Sequence, residues 1–161
     1  PPKKDSTAKT NPVVTSPKPG TDSTKVTTPP KISTPYSHKP ESPHYVVLVL
    51  NKVDPVFSNE ARNAYFRYNR ETYFNKTFTL DLHQLDTDNR LLLIAPFKNA
   101  QEAVDYIDKA RPKTATDIIP WLKGGKYGYT VLSADNFEIL KSNKDLDIYK
   151  TFLDQYFPGK F

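Results

Sequence analysis

The stretch that decides the fold is residues 44–50, His-Tyr-Val-Val-Leu-Val-Leu. It is an unbroken apolar run rich in β-branched residues, which is typical of a central strand buried on both faces of a sheet. Each face of such a strand must be covered by other parts of the chain. The run therefore predicts a sheet with packing on both of its sides.

Helical and strand patterns alternate after this run. Asp54-Pro55 is a suitable helix start, and an apolar stripe at helical spacing begins at Phe57, so a helix is predicted to about Phe74. Residues 77–85 alternate apolar and polar side chains, and residues 90–97 form a second buried run. The polar turn between these two segments predicts a hairpin.

The second half of the chain repeats this pattern. Asn99 with Glu102 forms a capping-box-like helix start, and Pro112 is expected to end that helix. Residues 127–133 predict a fourth strand, and Asp135 begins the first of two final helices. The order β-α-β-β-α-β predicts an α+β, ferredoxin-like four-stranded antiparallel sheet with two extra C-terminal helices. We expect these two helices to cover part of the second sheet face.

The composition divides the chain near His44. Residues 1–43 hold 10 of the 15 prolines, 14 serines and threonines, and 7 lysines against 3 acidic residues. Such a segment buries too little apolar surface to offset the entropy of ordering it. We therefore predict a disordered linker over residues 1–43 and a folded domain over residues 44–161. Deleting the linker is expected to change the melting temperature by less than about 2 °C.

Several classes of function are disfavoured by composition. Residues 44–161 carry 16 basic and 15 acidic residues, which disfavours a nucleic-acid partner. The chain has no cysteine, and its five glycines fit no common nucleotide-binding or hydrolase motif. No apolar run approaches the roughly 18 residues of a membrane-spanning helix. We expect a protein that is not an enzyme and has no cofactor and no metal site.

Five residues on the predicted second and fourth strands are candidates for ligand binding. They are Thr79, Asp81, His83, Tyr127 and Tyr129. If they lay together on an open sheet face, their polar groups and aromatic rings could bind a glycan. A protein-docking module would instead carry an exposed apolar or aromatic patch elsewhere, for instance on the long first helix.

One motif in the chain resembles a known domain family. Residues 93–104 read Leu-Ile-Ala-Pro-Phe-Lys-Asn-Ala-Gln-Glu-Ala-Val. They resemble the Gly-Pro-Phe-like turn and capped, alanine-rich helix start of SPOR domains, although Ala95 stands where that family usually has glycine. The resemblance implies a βαββαβ fold and binding of peptidoglycan glycan strands in a groove on the sheet.

A second resemblance covers the whole of residues 44–161. The matching segments are residues 44–49, 66–69, 73–74, 92–99, 103–106, 131–140 and 144–149, followed by Phe152 and Tyr156. They are similar to the C-terminal domain of PorW/SprE-type tetratricopeptide-repeat envelope lipoproteins of Bacteroidetes, which serve type IX secretion and gliding motility. The resemblance implies a location in the periplasm or cell envelope, with tethering through an upstream lipoprotein region.

The two resemblances imply two different functions. The first is non-catalytic docking to another envelope protein in type IX secretion or gliding motility. The alternative is peptidoglycan glycan-strand binding by a SPOR-type sheet groove.

Overall fold

The computed structural model describes residues 33–161. The strands are β1 (His44–Asn51), β2 (Thr79–Gln84), β3 (Asn89–Phe97) and β4 (Tyr127–Ser133). The helices are α1 (Pro55–Thr72), α2 (Ala100–Lys113), α3 (Ala134–Asn143) and α4 (Leu146–Asp154), and a π-helical segment (Thr114–Ile118) follows α2. The strands form one antiparallel sheet in the order β2-β3-β1-β4. This confirms the predicted ferredoxin-like α+β fold with two extra helices.

Strand register sorts the sheet residues onto two faces. One row across all four strands is Leu82, Leu92, Leu48 and Tyr129, and the next is His83, Leu91, Val49 and Gly128. Successive residues of a strand point to opposite faces, so these two rows lie on opposite sides of the sheet. Tyr129 contacts Tyr65 of α1, so its row lies on what we call the α1/α2 face.

Helix α3 lies over the opposite face, which we call the α3 face. The Phe137 ring contacts Tyr45 of β1 and His83 of β2, with ring centroids 5.8 Å and 5.3 Å apart. Leu140 is fully buried. The apolar residues of this face are also buried, namely Val47, Val49, Leu91, Leu93 and Leu132. The expectation that a C-terminal helix covers part of this face is confirmed.

The folded unit begins before His44, because residues 33–43 pack against α3 and α4. Tyr36 is only 6% exposed, and its ring centroid lies 4.8 Å from that of Tyr149 and 5.6 Å from that of Phe152. Its hydroxyl donates to Asn143 Oδ1 at 3.0 Å. The predicted linker is therefore wrong for residues 33–43. Residues 1–32 lie outside the described residues.

Backbone hydrogen bonds also hold this N-terminal segment. Ser37 N–H donates to Asn136 Oδ1 at 3.1 Å, and Asn136 Nδ2 donates back to the Ser37 carbonyl at 2.9 Å. The Pro40 carbonyl accepts from the Ala100 N–H at the start of α2, at 2.8 Å. Satisfied backbone groups of this kind mark an ordered part of a fold.

Two helix ends differ from the sequence-based expectation. Helix α2 continues through Pro112 into a π-helical turn, which is closed by the Ile119 N–H donating to the Thr114 carbonyl at 2.9 Å. Proline lacks the N–H that would donate to the Asp108 carbonyl and crowds the preceding turn, and the regular α-helix gives way to the π-helical segment two residues later. The N-cap of α3 is Ser133, whose hydroxyl accepts from the Asn136 N–H at 3.3 Å, rather than Asp135.

We expect the protein to lose stability as the pH falls from 7 to 5. His44 is 8% exposed, and its Nδ1–H donates to the Ser42 carbonyl at 2.7 Å. Burial lowers the pKa of His44, and the Ser42 carbonyl only partly opposes this. Burial also lowers the pKa of His38, which stacks on Tyr156, and the nearby His44 lowers it further. Above a pH of about 6.5 both rings are neutral in the folded and unfolded states. Below it the unfolded chain binds protons first, which favours unfolding.

Thermal unfolding at pH 7 and pH 5 measures this effect. His44→Asn keeps a side-chain donor for the Ser42 carbonyl but removes the titrating ring. This variant should show a smaller difference in Tm between the two pH values than the parent chain does. Equal Tm values for the parent chain at both pH values would contradict the prediction.

Candidate functional site

The structure separates the five residues that were expected to share one binding face. Thr79, Asp81 and His83 lie on the α3 face of edge strand β2, whereas Tyr127 and Tyr129 lie on the α1/α2 face of β4. Register is the physical reason, because Tyr129 aligns across the sheet with Leu82 and not with its neighbours Asp81 or His83. The expectation of one shared surface is therefore wrong.

On the α3 face, helix α3 covers one of the three β2 residues. Thr79 and Asp81 are exposed, but His83 is half-buried beneath the ring of Phe137. Burial lowers the pKa of His83, and the nearby Lys141 lowers it further. Helix α3 thus occupies part of the sheet face on which a SPOR-type glycan groove was expected.

Tyr129 is a core residue, 7% exposed, in a chain of buried hydroxyl groups. The Thr114 hydroxyl donates to the Ala110 carbonyl at 2.9 Å, so Thr114 accepts from the Tyr129 hydroxyl at 2.6 Å. Tyr129 in turn accepts from the Tyr65 hydroxyl at 2.5 Å. Burial raises the pKa of Tyr129 to about 12 and raises that of Tyr65 as well. These neutral phenols tie α1, α2 and β4 together, and of their surface only a small part of Tyr129 and Thr114 reaches the cleft at the edge of β4.

Tyr127 is half-buried and lines a cleft of about 490 Å³ at the outer edge of β4. Besides Tyr127, the polar side chains that line this β4-edge cleft are Asn51, Asn89, Arg111, Thr114, Tyr129 and Lys150. Asn51 Nδ2 donates to Asn89 Oδ1 at 2.9 Å, and Arg111 Nη2 donates to the Lys160 carbonyl at 2.7 Å. Part of the hydrogen-bonding capacity of the cleft is therefore already used within the protein.

An aromatic groove lies between the start of α1 and the loop that precedes β4. Phe57 is 53% exposed and Trp121 is 43% exposed, and their ring centroids are 5.7 Å apart. Val53 and Leu122 also line the groove, which has a volume of about 290 Å³. Clustered apolar side chains of this kind mark interaction surfaces more often than single exposed ones do.

Local structure holds both sides of this groove in place. On one side, Asp54 caps α1, and its Oδ1 accepts from the Val56 N–H at 2.8 Å, which fixes Phe57 in the first turn. On the other side, Trp121 follows the π-helical segment, and the Leu122 N–H donates to the Ile119 carbonyl at 3.0 Å. The two rings are thus presented to solvent by ordered elements.

The sequence points to part of this groove. An exposed aromatic patch on the first helix is one of the two stated expectations, but the stripe pattern assigns Phe57 to the core. Phe57 is the first residue of the stripe, and in the structure it lies against Trp121 and remains more than half exposed. Trp121 is the one tryptophan of the chain and stands between Pro120 and a Gly-Gly loop, which is a signal for an exposed aromatic residue.

The chemistry of the groove suits non-covalent recognition. Its titratable residues are Lys52, Lys123, Lys126 and Asp54, and the Asp54 carboxylate serves as a helix cap.

In residues 33–161, no three histidine, aspartate or glutamate side chains are grouped so that they could hold a metal ion. No helix in the same range is both long and apolar enough to cross a membrane. Comparisons with protein-family models, curated proteins and solved structures give no match to this chain.

Proposed function

We propose that this chain is a non-catalytic interaction module of a cell-envelope protein, and that it docks another envelope component through the aromatic groove. The exposed Phe57–Trp121 pair is the observation that supports this most strongly. Covering each half-exposed ring with apolar surface of a partner is worth on the order of 1 kcal/mol or more. Tryptophan is also among the residues that dominate the energy of protein interfaces.

The biological setting of the proposal comes from the sequence resemblance. The PorW/SprE-type lipoproteins place such a C-terminal domain in the periplasm or cell envelope, where they serve type IX secretion and gliding motility. We extend this setting to the present chain as part of the proposal, with tethering through an upstream lipoprotein region. The partner would then be another protein of the secretion or motility apparatus.

Peptidoglycan glycan-strand binding is the second candidate function. The covering of the α3 face argues against a SPOR-type sheet groove, since Phe137 packs on Tyr45 and His83 there. The β4-edge cleft is the alternative place for a glycan, because its lining combines the Tyr127 ring with polar side chains that include Asn51 and Asn89. An aromatic ring beside a few polar groups is a common arrangement in ligand sites.

Site-specific photo-crosslinking tests the docking proposal. The full 161-residue chain, with a photoreactive phenylalanine analogue in place of Phe57, is irradiated in an envelope fraction of the source bacterium. We expect one discrete protein adduct. The substitution Trp121→Ala should lower the yield of this adduct at least about fivefold. Phe66 supplies the matched control, because it is 49% exposed on the same helix but does not line the groove. Equal adducts from both positions, or none from position 57, would contradict the proposal.

Sedimentation with peptidoglycan sacculi separates the two candidate functions. If the docking proposal holds, the chain stays in the supernatant at physiological salt. Tyr127→Ala and Phe57→Ala then behave like the parent chain. Sedimentation that is abolished by Tyr127→Ala and retained by Phe57→Ala would instead favour glycan binding in the β4-edge cleft.

A further inference from the structure

Positive charge surrounds the aromatic groove. Lys52, Lys123 and Lys126 lie along it, and Asp54 is the one acidic residue in its lining. Three lysines against one aspartate leave about two net positive charges. Lys52 forms an ion pair with Asp88, in which Nζ lies 3.7 Å from Oδ2. Lys123 and Lys126 form no ion pair with any residue between 33 and 161.

This excess of charge is local. Residues 44–161 carry 16 basic and 15 acidic residues, so the folded part as a whole is nearly neutral. A positive rim around an apolar centre on a neutral protein favours a partner of the opposite charge at that place. It does not indicate general affinity for polyanions, which requires positive charge spread over a larger face.

The size of the groove limits what it can hold. Its volume of about 290 Å³ lies near the lower end of the range of roughly 300–1,000 Å³ that is usual for ligand pockets. One large side chain fits such a space well, with the rest of a peptide lying outside it. The exposed rings of Phe57 and Trp121 lie against each other and offer that side chain one continuous apolar surface.

We infer that the partner presents an acidic peptide segment with one large aliphatic or aromatic side chain. This side chain packs against Phe57 and Trp121, and carboxylates next to it in the peptide face Lys123 and Lys126. The inference rests on the proposed docking function and adds the chemistry of the partner. The apolar contact supplies most of the affinity, while the lysines set the charge preference and speed association.

Trp121 is the one tryptophan of the chain, so its fluorescence reports on the groove directly. The probe is a short synthetic peptide with a central leucine flanked by glutamates. Matched peptides carry lysine or glutamine in place of the glutamates, or alanine in place of the leucine. We expect the glutamate–leucine peptide to shift the Trp121 emission to shorter wavelength as water leaves the ring. The other three peptides should bind at least about tenfold more weakly.

Charge-reversed variants test the role of the lysines. The double variant Lys123→Glu/Lys126→Glu should bind the glutamate–leucine peptide about tenfold more weakly than the parent chain at low salt. It should bind the lysine peptide more tightly. Added salt should weaken binding to the parent chain, because these lysines are exposed. Lys109→Glu supplies the matched control, since Lys109 is an exposed lysine of α2 that does not line the groove. This control should bind like the parent chain.

The outcomes distinguish this inference from the docking proposal. If the lysine or glutamine peptide binds as tightly as the glutamate peptide, the inferred partner chemistry is wrong and the docking proposal is unaffected. The same holds if no peptide binds although position 57 still forms its adduct. If no peptide binds and position 57 forms no adduct, both are wrong. An emission shift that follows protein concentration without any peptide would identify a second copy of the chain as the occupant and would overturn the inference.

Discussion

Tyr36→Ala is expected to lower the free energy of unfolding by about 3 kcal/mol, although Tyr36 lies in a segment with the composition of a linker. The side chain is 6% exposed and packs on Tyr149 and Phe152 of α4. Its removal leaves a cavity between the N-terminal segment and the two final helices. Because α3 covers one sheet face, loosening this contact also weakens packing on the sheet.

Thermal unfolding of the full chain measures this loss, which corresponds to a fall in Tm of about 10 °C for a domain of this size. Tyr36→Phe removes only the hydrogen bond to Asn143 and should cost about 1 kcal/mol. Pro35→Ala, at an exposed position beside it, should leave Tm nearly unchanged. A chain of residues 33–161 should likewise melt at least about 10 °C above a chain of residues 44–161. Equal Tm values for these two chains would show that residues 33–43 do not stabilise the fold.

Tyr129→Ala is expected to be still more destabilising, by about 4 kcal/mol. The substitution removes a buried ring from the α1/α2 face of the sheet. It also leaves the Tyr65 hydroxyl without its closest acceptor and the Thr114 hydroxyl oxygen without the Tyr129 donor. Buried polar groups that lose their partners add to the cost of the cavity.

Chemical denaturation of the variant and of two controls measures this effect. Tyr129→Phe keeps the ring and breaks the hydroxyl chain, so it should cost only about 1–2 kcal/mol. Tyr127→Ala changes the neighbouring half-buried tyrosine of the same strand and face, and should cost less than half as much as Tyr129→Ala. A Tyr129→Ala protein as stable as the parent chain would contradict the buried hydroxyl chain.

The candidate site was only partly predictable because exposure depends on what covers a residue. Phe57 continues the apolar stripe of α1, and periodicity alone assigns it to the core. In the structure Phe57 instead contacts Trp121 and solvent. Trp121 comes from a loop 64 positions later in the chain, and no local pattern could have paired the two rings.

Residues with strong local patterns were predictable by themselves. The apolar run at residues 44–50, the alternation before β3 and the Asn99–Glu102 cap depend on neighbours in sequence, and these determined the four strands, the two crossover helices and the fold class. Such elements can be predicted locally because the spacing of apolar side chains and the hydrogen bonds between nearby residues favour the same helix or strand.

Only the tertiary structure decided which surfaces remain accessible. Tyr36 is buried because α3 and α4 fold back over it, and Tyr129 is buried because register aligns it with Leu48 beneath α1. The same packing covers part of the α3 face and leaves the groove at Phe57 and Trp121 exposed. Burial is a property of contacts between distant segments, so residues of the same type and local pattern end in the core or at the surface according to what packs on them.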